Sequence, residues 1–126
     1  MEQVRLLAPS EGVRLDQDRL QALYEELGDV GAEDVVCRAM EELAVRLSYA
    51  EKLFRQGDFQ DMHKVVRSLV AISEQIGMNT LVRVAGDVCT CIEAGDHVAL
   101  GATLSRLVRI GERSLSAIWD LDDFCP

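Results

Sequence analysis

DFQDMHKVVRSLVAISEQIGMNTLVRVAGDVCTCIEAG, from Asp58 to Gly95, holds the plan of the whole chain. Phe59, Met62, Val65, Val66, Leu69, Ile72 and Ile76 recur three and four residues apart, the period of one helix face. That spacing predicts a helix from about Asp58 to Ile76. Gly77 is suited to end it and Asn79 to cap the next. A second stripe follows at Leu81, Val84, Ala85, Val88, Cys91 and Ile92, and stops at Gly95. So short a connection forces the two helices to lie antiparallel.

The same punctuation extends in both directions. Upstream, Asp16 reads as an N-cap for a helix with Leu20, Leu23, Tyr24 and Leu27 on one face, ended by Gly28 and Gly31. A longer helix is predicted from Ala32 to Gln56, with Val36, Met40, Leu43, Leu47, Ala50 and Phe54 in a bundle-like seam. Downstream, Asp96 caps a last helix carrying Leu100, Leu104, Leu107, Val108, Gly111, Leu115 and Ile118. Gly111 stands where a small residue lets a neighbouring helix come close. The only prolines are Pro9 and Pro126, so nothing breaks the middle. Residues 1–14 read as a lead-in and 15–126 as a single domain. The expected fold is all-α: an antiparallel up-down-up-down four-helix bundle with an additional short N-terminal helix.

Charge narrows the partners. The formal net charge is −9, and no Lys/Arg cluster builds a basic face, which argues against nucleic acid and anionic membrane surfaces. No signal-peptide pattern or run of 18 apolar residues occurs. Cys89-Thr90-Cys91 is not a CxxC motif, and helical residues two apart point away from each other. Reduced thiols and a cytoplasmic location are expected. The acidic residues Glu33, Asp34, Glu41 and Glu42 come without any Glu-x-x-His pair, so neither metal nor cofactor is expected. There is no phosphate-binding loop and no nucleophile elbow. His97, at the start of the last helix, reads as a surface residue. Trp119 and the acidic stretch after it read as a bundle closure and a tail.

The outward face of the third predicted helix is less ordinary. Arg67 falls about 170° from the centre of the apolar stripe, His63 and Lys64 about 130°, Ala71 about 150° and Val70 about 110°. With Glu74 they make a face that is polar at its start and apolar at Val70-Ala71, the composition of a docking patch.

The segment resembles a histidine phosphotransfer (Hpt) domain over about residues 15 to 118. That pattern has an exposed His on a helix, followed by Leu-Lys-Gly-Ser and, ten residues after the His, a helix-ending Gly. Counting back from Gly77 lands on Arg67, followed by Ser68-Leu69-Val70-Ala71. Leu81, Val84, Ala85, Cys91, Glu93 and Gly95-Asp96 match the family's next helix. Leu15-Asp16, Leu20, Leu23 and Leu27-Gly28 match its opening. The family's phosphoacceptor His, supporting Lys and small Gly are here Arg67, Val70 and Ala71. A guanidinium keeps its proton and offers no lone pair to a phosphoryl group.

The resemblance therefore implies a non-catalytic Hpt-like module, a pseudo-phosphotransferase. It would bind a receiver domain or a histidine kinase module through His63, Lys64, Arg67, Val70, Ala71 and Glu74, as a monomer or weak homodimer. One alternative is a phosphorelay intermediate using His63, with Lys64 and Arg67 as supporting cations. Another is a structural bundle that self-associates.

Overall fold

A computed structural model describes residues 16–119, with side chains described to Ser116. The lead-in, Leu15, the side chains of Ile118 and Trp119, and the acidic tail lie outside the described residues. The chain forms four helices: α1 (Gln17–Gln56), α2 (Phe59–Gln75), α3 (Asn79–Ala94) and α4 (His97–Trp119). No strand occurs among the described residues. Each helix packs on the next and α4 returns to α1, so the four close into the expected antiparallel bundle.

α1 comprises the two helices that the sequence predicts, a short N-terminal one and a longer one, meeting at a kink at Gly28. Gly28 leaves helical geometry at φ 78°, ψ 171°, and helical geometry resumes at once beyond it, so Gly31 lies inside the second limb. Glycine permits that single residue because it lacks the Cβ that would clash. Asp16 caps the first limb as expected, accepting from Arg19 N at 3.2 Å. That limb lies over the α2–α3 turn: Asp16 N donates to Gly77 O at 2.8 Å and Arg19 Nε to Gln75 O at 2.8 Å. Leu20 and Leu23 enter the core, whereas Leu27, expected on the same face, is exposed just before the bend.

The core follows the seams read from sequence. Val36, Met40, Leu43, Leu47, Met62, Val66, Leu69, Leu81, Val84, Val88, Leu100 and Leu107 are all buried, and Ile110, which lay off the predicted stripe, joins them. Each large side chain so buried contributes about 1.5–3 kcal/mol. Asp58 caps α2 by accepting from Asp61 N at 3.2 Å, and Asp96 caps α4 by accepting from Ala99 N at 3.1 Å. Asn79 does not cap α3. It is the first helical residue, and the cap position belongs to buried Met78, which has no side-chain hydrogen bond. Packing of Met78 outweighs the local preference for Asn.

Cys37 is disulfide-bonded, which corrects the expectation of reduced thiols at that position; Cys89 and Cys91 are free. Spacing along the chain reports on neighbours and not on pairings between distant residues. Among the described residues no helix is long and apolar enough to cross a membrane.

Candidate functional site

The site begins with the Asp58 cap. It starts α2 with Phe59 facing the bundle end, and one turn later places His63 at the seam with α3. There the imidazole Nε2 lies 2.8 Å from Glu93 Oε2. The pairing with an ionised carboxylate, which only accepts, selects the His63 tautomer whose Nε2–H donates a hydrogen bond to Glu93. The His63 side chain is 22% exposed, against 64% for Glu93. His63 is thus a half-buried, hydrogen-bonded residue, not the solvated one that its angle on a helical wheel implies.

Around this pair the seam opens into a shallow groove of about 480 Å³, lined by Phe59, Gln60, His63, Lys64, Arg67, Ile92 and Glu93. Lys64 is exposed, its Nζ 4.0 Å from Asp61 Oδ1. Arg67 is exposed as expected. It also lies near enough to Cys89 to act on its thiol, which burial and the Glu93 carboxylate push up while the Arg67 guanidinium pulls it down.

The expected docking residues separate into two sets. His63, Lys64 and Arg67 line the groove, and Ala71 and Glu74 are exposed further along α2. Val70 is half-buried and packs against the core, so the apolar end of the patch is smaller than the sequence implies. On the α1 side, Arg46 Nε donates to Ser68 Oγ at 2.8 Å, and that hydroxyl donates to Val65 O at 2.6 Å. Arg46 also pairs with Glu42 at 3.5 Å. Beside Arg46 stand two exposed apolar residues that the sequence reading passed over, Val45 at 66% and Tyr49 at 45%. Both fall off the buried seam of α1, and that off-period position is the signal that marks them.

His97 is exposed, as expected, but it stacks on Phe59 with ring centroids 4.7 Å apart. Phe59 in turn meets Phe54 at 6.2 Å. Both histidines therefore stand at the same end of the bundle. Among the described residues no group of three or more His, Cys, Asp or Glu side chains could hold a metal ion. The pairing of Glu93 with His63 is what sequence reasoning missed. The position of Glu93 thirty residues after His63 gives no local cue, and only the antiparallel pairing of α2 with α3 joins them.

No family model, curated protein or solved structure matches this chain.

Proposed function

We propose that this chain is a non-catalytic, Hpt-like signalling module that binds a receiver domain or a histidine kinase module through the exposed face of α2. The observation that carries this reading is the bond from His63 Nε2 to Glu93. While Nε2 donates to Glu93 it has no lone pair with which to attack phosphorus, and the ring's one lone pair is on Nδ1. An adjacent carboxylate also repels an incoming phosphoryl group. Beside this occupied imidazole, Lys64 and Arg67 present fixed positive charge, with Ala71 exposed one turn beyond Arg67. Such a face suits holding the acidic pocket of a receiver without exchanging a group with it.

The test is capture of purified receiver domains and kinase modules by the wild-type chain and by the doubly substituted Arg67→Glu, Ala71→Asp chain. Both positions are exposed, so the fold should survive, as circular dichroism would verify. Loss of binding by about tenfold or more is expected, since reversing one contact charge and adding another acts twice. Undiminished capture would remove the α2 face from the reading, and no capture by the wild type would remove the reading itself. Transfer through His63 has one feature in its favour, the presence of Lys64 and Arg67 in the same groove. Intact mass after treatment with phosphoramidate at neutral pH should show no phosphate adduct. An adduct that disappears in His63→Ala would replace binding with transfer. A stable homodimer by light scattering that hides α2 would favour self-association.

A further inference from the structure

The α2–α3 groove concentrates positive charge on a chain whose net charge is −9. Lys64 and Arg67 line it, Gln60 adds an amide donor, and the His63 N–H points into it. One carboxylate shares this space, Glu93, in the last turn of α3. That is an unfavourable place for an anion, because the C-terminal end of a helix carries partial negative charge. Glu93 is nevertheless directed onto His63 while remaining mostly exposed, held by a single hydrogen bond.

We infer that Glu93 is an internal stand-in for a carboxylate of an acidic partner segment. It occupies the cationic groove in the unbound protein and yields to the partner's carboxylate on docking. The inference rests on the reading of α2 as the docking face, and it adds the chemistry of what is gripped and the residue that competes for it. The exchange conserves the pairing: His63 Nε2–H has an anionic acceptor before and after, Arg67 gains one, and Lys64, already 4.0 Å from Asp61 Oδ1, gains a second. Charge complementarity selects the occupant, because a basic partner would meet Lys64 and Arg67 with like charge.

The experiment titrates the full chain with a capped peptide of alternating glutamate and aspartate at fixed ionic strength, following the His63 ring N–H by NMR. Wild type should bind weakly and shift that resonance. Glu93→Gln should bind about two- to fivefold more tightly, the scale of one partly exposed ion pair. The Lys64→Ala, Arg67→Ala double variant should bind several-fold more weakly. Equal or weaker binding by Glu93→Gln, or binding that leaves the His63 resonance unmoved, would overturn the inference. Inorganic phosphate serves as a second probe. Equal gain from Glu93→Gln, with competition at the same concentration, would mean a general oxyanion site and overturn the acidic-segment assignment. The two readings fail separately. Capture that responds to Arg67→Glu, Ala71→Asp while Glu93→Gln changes nothing rejects only the stand-in. Peptide tightening without capture of any receiver or kinase module rejects only the signalling partner.

Discussion

Ser73 is wholly buried in α2 and its hydroxyl has no hydrogen-bond partner among the described residues. An unpaired buried hydroxyl costs about 1–3 kcal/mol, and alanine nearly matches serine in shape. Ser73→Ala should therefore raise the denaturant midpoint, by about 1 kcal/mol in stability, and a loss of stability would reveal a partner for the hydroxyl. Cys89 offers a second test at this scale. Burial first, and Glu93 next, raise its thiol above the ordinary range, so folding favours the protonated form. The stability it contributes is intact below the unfolded thiol's pKa of about 8.5 and is lost as pH rises past that value toward the folded one. Unfolding at about pH 7.5 and pH 9.5 should show a larger fall in wild type than in Cys89→Ala. Equal falls would show that the thiol is not coupled to folding. Tyr24, raised by burial from a higher starting point, stays out of this window.

Two glycines at the element scale have opposite roles. Gly77 has φ +77°, and a Cβ there would come 2.8 Å from Asp16 Cβ and 3.1 Å from Arg19 Cβ. Its left-handed backbone turns α2 into α3, and its missing side chain lets the first limb of α1 lie on that turn. Gly86, inside α3, would place a Cβ in open space. Gly77→Ala should destabilise by about 2 kcal/mol or more, combining left-handed strain with overpacking. Gly86→Ala should stabilise by about 0.5–1 kcal/mol through helix propensity. Thermal melts of both variants decide the matter, and similar shifts would mean that the α1 limb does not bear on the turn. The caps follow a related rule. Asp16 and Asp96 were legible because a side chain bonding three residues ahead is local chemistry, and the Asp58 cap follows the same rule. Asn79 misled because Met78 is needed in the core, and tertiary packing outweighed propensity.

For the whole molecule the deciding contact is between the last helix and the first. At Gly111 a Cβ would fall 2.5 Å from Leu47 Cδ1, so α4 closes on α1 because no side chain intervenes. Gly111→Val should cost about 1–3 kcal/mol by overpacking this closure. Adding Leu47→Ala should recover part of the loss, a non-additivity expected of residues in contact. Additive losses in a double-mutant cycle would place the strain elsewhere.

The sequence by itself determined the helices, most of their caps and their buried faces, because each rests on a period of 3.6 or on a side chain acting within a turn. It also determined the antiparallel order, because connections this short leave no other path. The exposed cations of α2 were legible for the same reason, as positions opposite an apolar stripe. Only the tertiary structure decided that Val70 belongs to the core and that the second limb of α1 begins directly after Gly28 with no loop between. It alone brought Glu93 onto His63 and set His97 on Phe59. Each of these depends on how far two helices are rotated and shifted against each other, and that is settled by the packing of many side chains at once.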